Sequence, residues 1–252
     1  MLATLFLLVG LPHGGLDIYL LRQFGLSKSY WSALFFILGY ILLAIIAFGL
    51  WVMSPILGLV VFMIIACYHF STDWGVHKNY VSGLMLSSLL LATPAMLNFH
   101  NVIIIFHKLY LSLPEAHLVA SIMKGVFYFD TIFFVISIIL LRSIETKYLL
   151  EMLILLCFGF LFGLYAYFIV YFCLLHSSHH FYKTSLKLNK NIYKTWLLSV
   201  PFVMPILLLA LFMFYVTPLV TMSDYAIRWL FIGLFSLTVP HMLLIDIFLK
   251  ES

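Results

Sequence analysis

Residues 100–114, HNVIIIFHKLYLSLP, decide how this chain is threaded. The stretch is apolar, but it is short and interrupted by His107 and Lys108. A membrane-crossing helix needs about 20 predominantly apolar residues. Such a segment can lie at the interface, enter and return, or cross with help from neighbouring helices. The parity of the whole fold turns on which of these it does.

Outward from it the reading is simpler. Eight clear apolar runs cover residues 1–21, 31–52, 55–70, 81–97, 124–141, 148–175, 195–216 and 226–249. Of the 252 residues 65% are hydrophobic and only 9% charged, where a soluble domain carries roughly 25%. The expected fold is therefore all-α, a polytopic transmembrane helical bundle of eight to nine membrane segments. No linker, repeat or soluble domain interrupts it, so residues 1–252 read as a single transmembrane domain. The N-terminal MLATLFLLVGLPHGGLD lacks a basic leader region and runs straight into polar residues, so it reads as a helix.

The net charge is +4, but the 13 basic residues are spread over many loops and form no stripe for nucleic acid. They report on topology instead. If residues 100–114 do not cross, the basic residues divide six to seven between the two sides. If they cross, Arg22, Lys28, Lys78, Lys124, Lys183, Lys187, Lys190, Lys194 and Lys250 share one side, against Arg142, Lys147 and Arg228. The positive-inside rule favours the crossing, with the N-terminus outside and the C-terminus cytoplasmic. The spans carrying His13, His69, His176 and His241 then run in one direction, with these residues at similar depth. Cys67, Cys157 and Cys173 lie in apolar runs without C-x-x-C spacing and read as buried small hydrophobes. The 45 aromatic residues read mostly as packing and lipid-facing groups.

An ionisable residue inside a membrane run is costly and points to function. Four clusters qualify: GLPHGGLD with His13 and Asp17, CYHFSTDWG with His69 and Asp73, YFCLLHSSHHFYK with His176, His179 and His180, and VPHMLLID with His241. His176 and His180 are four apart, share a helix face and can bind one metal together. A metal-bound histidine usually passes its other ring N–H to a carboxylate, so Asp17 and Asp73 qualify either for that role or as direct ligands. The competing view of HSSHH is a set of interfacial histidines at a helix end, ahead of a basic loop. Pro12, Gly14, Gly15 and Pro240 flank the single histidines and suit a helix broken to line a site. His77, His100, His107 and His117 lie in or near loops and read as ordinary residues. Imidazole suits several metals; a histidine site within a bilayer suggests a substrate that lives there, and iron with open positions can activate O₂ against it.

PHGGLD near the start, YHF in the third run, HSSHH after the long central run and PHM in the last run together resemble the Brp/Blh family, over nearly the whole chain. That family comprises integral-membrane β-carotene 15,15′-dioxygenases associated with microbial rhodopsins. The resemblance implies O₂-dependent cleavage of the central double bond of β-carotene to two all-trans-retinal molecules, at a non-haem Fe(II) centre. It implies His13, His69, His176 and His180 as the iron ligands. His241 and His179 would then stand near the site rather than on the metal. Two departures stand out: the family pattern often has a histidine where this chain has Ile18, and a glycine where it has Ser71.

Two other classes compete. HSSHH matches the H-x-x-H-H box of membrane di-iron desaturases and hydroxylases, which need several such boxes; this chain has one. A transporter lined by His and Asp is the other alternative. A rhodopsin is disfavoured, because the last run has no lysine for a Schiff base.

Overall fold

The computed structural model describes residues 9–23, 29–74, 80–136, 146–216 and 222–244. Among these residues the chain is helical, with no strand. A 3₁₀ turn over Leu11–Leu16 leads into α1 (Asp17–Gln23). Then follow α2 (Tyr30–Met53), α3 (Pro55–Ser71), a 3₁₀ turn Thr72–Trp74, α4 (Tyr80–Leu97), α5 (Phe99–Lys108) and α6 (Leu113–Ile136). The second half holds α7 (Thr146–Phe162), α8 (Leu164–Ile169), a π-helical stretch Val170–Ser177, α9 (Ser178–Lys187), α10 (Ile192–Val216) and α11 (Met222–Met242).

Four described helices are long and apolar enough to cross a membrane: Tyr30–Met53, Pro55–Trp74, Tyr80–Leu97 and Leu113–Ile136. Half of the α4 window is buried but only 11% of the α2 window. A helix that exposes Leu42, Ile45 and Ile46 along its length suits lipid against that face.

Three runs differ from the sequence reading. The run expected at 124–141 begins at Leu113. Ser112 and Glu115 form a capping box there: the Ser112 N–H donates to Glu115 Oε2 at 2.8 Å, and the Glu115 N–H reaches Ser112 Oγ at 3.5 Å. Lys124 thus lies within α6, with Nζ 5.4 Å from the centre of the Phe99 ring, and drops out of the loop charges that report topology. The deciding stretch yields only the ten-residue α5. Asn98 caps its start by accepting from the Asn101 N–H, and Tyr110, at φ 76°, stops it. Its length is about 15 Å, half the hydrocarbon thickness. Val102 and Phe106 are its buried positions, Leu109 just past its end is buried too, and it packs on α6.

The long run at 148–175 is also not one helix. Gly163 has φ 84° and ψ −179°, a region essentially reserved for glycine, and there α7 gives way to α8. Gly163→Ala is expected to cost about 1–3 kcal/mol, read as a lower unfolding midpoint of the detergent-solubilised protein. An unchanged midpoint would show that the bend tolerates a side chain.

The chain divides into two compact units. In the unit of residues 55–172, α4 is central and packs against α3, α5, α6, α7 and α8. Asp130 of α6 is buried and accepts a hydrogen bond from Ser88 of α4 at 2.6 Å. Gly159 lets α7 close in, since a Cβ there would meet Leu97 Cδ1 at 2.5 Å. Cys67 is half-buried, but Cys157 is exposed on α7 rather than buried as expected. Its helix presents that position outward, where a small apolar thiol suits lipid as well as it suits a core.

In the unit of residues 1–54 and 173–252, α2 packs on α11. Phe48 stacks on Trp229 at 5.9 Å, and Trp51 lies 5.3 Å from Phe235. The Leu11–Leu16 turn packs on α10 and α9. A Cβ on Gly15 would stand 3.1 Å from the Ser199 carbonyl oxygen, so the glycine permits that approach.

Candidate functional site

Pro12 and the two glycines were expected to break the first helix, and the chain does take the tighter 3₁₀ form there before α1 begins at Asp17. The backbone of His13 lies in this turn; its side chain lies outside the described residues. Asp17 is only 4% exposed. Both its oxygens stand 2.9 Å from Nδ1 of His241 on α11. The Tyr40 hydroxyl, from α2, donates to Asp17 Oδ2 at 3.0 Å and lies 3.4 Å from the Leu237 carbonyl. One carboxylate thereby joins three helices. Asp17 was a candidate for anchoring a metal-bound histidine, and the histidine it anchors among the described side chains is His241, 224 residues away in sequence.

His176 is buried, at 2% exposure, near the end of the π-helical stretch. The helix does not stop at HSSHH, as a cluster of terminal histidines would require. It continues as α9 to Lys187, ending where Asn189 takes φ 52°. Ser178 secures the change from π to α geometry, its hydroxyl donating to the Leu174 carbonyl and also lying 3.3 Å from that of Leu175. The His176 and His180 rings are 6.3 Å apart, so the pair shares a face as its spacing predicts. The His180 ring lies 5.4 Å from that of His241, inclined by 61°. His179 is half-buried.

His69 belongs to the other unit, in the last turn of α3, and is buried at 2% exposure. Its carbonyl accepts from Thr72 Oγ1 at 2.8 Å as the chain tightens into the Thr72–Trp74 turn. Asp73, in that turn, accepts a hydrogen bond from the Tyr171 hydroxyl at 2.8 Å. Trp74 stacks on Tyr171 in near-parallel planes, and Phe70 meets it edge-on at 5.0 Å. The two H-x-x-x-D motifs are thus alike locally. Each contains or ends in a 3₁₀ turn, and each aspartate accepts a tyrosine hydroxyl from a distant helix.

Among the described residues no group of three or more His, Cys, Asp or Glu is placed to hold a metal ion together. What they provide is two imidazole pairs, His176 with His180 and His180 with His241, and a carboxylate holding the last of them. His100 and His107 lie in α5 and His117 in the first turns of α6 rather than in loops, and all three are exposed, as ordinary residues would be. His77 lies outside the described residues. Sequence reading missed Tyr40 and Tyr171, whose hydroxyls give no signal inside apolar runs. It also missed Asp130, a lone acid in a membrane run whose cost alone could have flagged it.

A family model described as BCD, Beta-carotene 15,15'-dioxygenase, matches residues 4–249. Neither the curated proteins nor the solved structures give a match.

Proposed function

Since the chain belongs to the beta-carotene 15,15'-dioxygenase family, we propose that it uses O₂ to split β-carotene at its central 15,15′ double bond into two all-trans-retinal molecules. The product would supply chromophore to a microbial rhodopsin. The observation that carries this reading is the family match over nearly the whole chain. The cofactor is Fe(2+), held by His13, His69, His176 and His180. In kind the donors suit it: neutral imidazoles bind iron, and a carboxylate-held imidazole beside His180 is the sort of partner that metal-site histidines keep. Asp17 and Asp73 act as anchors, with carboxylates engaged by His241 and Tyr40 and by Tyr171 respectively. His179 and His241 stand near the centre.

Iron supplies the oxygen chemistry when bound. The chain's own residues do the rest. Asp17 holds a proton on Nδ1 of His241, which fixes that ring's orientation and tautomer. Apolar helices admit a hydrocarbon substrate from the bilayer and keep water from the histidines, which limits side reactions of a reactive centre.

The test is expression in cells that accumulate β-carotene. Loss of orange colour with retinal appearing, at one iron per chain, is the expected result. Unchanged pigment beside a folded, iron-loaded protein would defeat the reading, and two irons per chain would defeat a mononuclear centre.

The chain is proposed to sit in the cell membrane as one domain of eight to nine segments, N-terminus outside and C-terminus cytoplasmic. The charge distribution supports this orientation even without Lys124, since the remaining loop residues keep their bias. Single cysteines at positions 78 and 187 are expected to label from the same side. Labelling from opposite sides would leave α5 as an interfacial helix and the count at eight.

A further inference from the structure

We propose that His241 is itself a ligand of the iron, addressing it through Nε2, and that Asp17 and Tyr40 are its positioning residues; this rests on the iron-centre reading above.

Asp17 is costly where it stands, 4% exposed among apolar helices. A carboxylate buried among membrane helices is retained where something needs it. Its two oxygens turn toward one ring nitrogen, Nδ1 of His241, at 2.9 Å each. Tyr40 fixes the carboxylate in turn from a second helix, at 3.0 Å. An imidazole whose Nδ1 donates to a carboxylate carries its lone pair on Nε2, on the far side of the ring. That is the arrangement by which proteins orient a histidine toward a metal.

The second observation is what stands next to the ring. His241 lies 5.4 Å, centre to centre, from His180, a member of the proposed ligand set. The two come from different helices, α11 and α9, and their planes are inclined by 61°, so they approach from different directions. His176 and His180, by contrast, share one helical stretch. A carboxylate–histidine pair that served only to staple α1 to α11 would not need a second imidazole at its side.

The experiment uses the full chain in detergent, loaded anaerobically with ferrous iron. Iron per chain and iron affinity are measured for wild type, His241→Gln, Asp17→Asn and Tyr40→Phe. The electron paramagnetic resonance line shape of the nitric oxide adduct is recorded for each. His241→Gln is expected to weaken iron binding by at least roughly 10–100-fold and to change the line shape of whatever iron remains. Asp17→Asn is expected to weaken binding by about 10-fold, and Tyr40→Phe by less. Imidazole added to His241→Gly is expected to restore both affinity and line shape.

Wild-type affinity and line shape in monodisperse His241→Gln would overturn the inference and make the pair a structural staple. Should that variant misfold, Asp17→Asn decides: an unchanged affinity and line shape there overturns the inference equally. A wild-type chain that makes retinal without iron would instead defeat the iron-centre reading, and this inference with it.

Discussion

His176→Ala is expected to abolish retinal production in carotene-accumulating cells, lowering product per chain by more than about 100-fold. Loss of an outer partner of a metal ligand already costs 10–100-fold, and His176 is proposed as a ligand. The position leaves little room for compensation. His176 is buried, and its ring shares one wall with His180. His179, three residues on, is only half-buried and starts from a different angle on the helix. The control is His117→Ala, an exposed residue whose ring meets Ser121 and Phe99; it is expected to keep wild-type yield. Retinal extracted per immunodetected chain gives the measure. Wild-type yield from well-expressed His176→Ala would remove the box from the chemistry.

The largest stability effect is expected at Asp17. Asp17→Leu removes the acceptor shared by His241 Nδ1 and the Tyr40 hydroxyl, and leaves the first group in a buried setting and the second in a half-buried one. Breaking one side of a buried pair costs about 3–5 kcal/mol, and each stranded donor adds to the strain on three helices. Asp17→Asn keeps one carbonyl acceptor and should lose less than half of that. Reversible unfolding in mixed micelles reads the difference directly. An Asp17→Leu chain as stable as wild type would mean that the carboxylate does not hold α1, α2 and α11 together.

How far the sequence foretold this structure depends on the kind of signal. Hydropathy located α2, α3, α4 and α10 closely, because an apolar run of bilayer length has few other fates. The four-residue spacing of His176 and His180 placed them on one face, since helix periodicity is local. The start of α6 was missed although Ser112 and Glu115 announce it; a capping box outranks the charge at Lys124 as a boundary marker. The break at Gly163 depends on a backbone angle, and one glycine among thirteen gives no hint of which will take it. The pairing of Asp17 with His241 was the least legible. Local spacing pointed from Asp17 back to His13, while the observed partner comes from the far end of the chain and is chosen by packing.

The π-helical stretch Val170–Ser177 carries more residues per turn than the α-helices on either side of it. Each residue of an ordinary helix turns the side-chain direction by about 100° and each residue of this wider stretch by less, so tightening all eight residues to α geometry would re-aim everything after it. The helix would still be long and apolar, and the chain would still insert. Its histidines would face elsewhere. Substitutions that drove positions 170–177 into plain α geometry without changing their number would thus give a protein that sits in the membrane with its histidines apart, which separates what the bilayer demands of this segment from what chemistry demands of it.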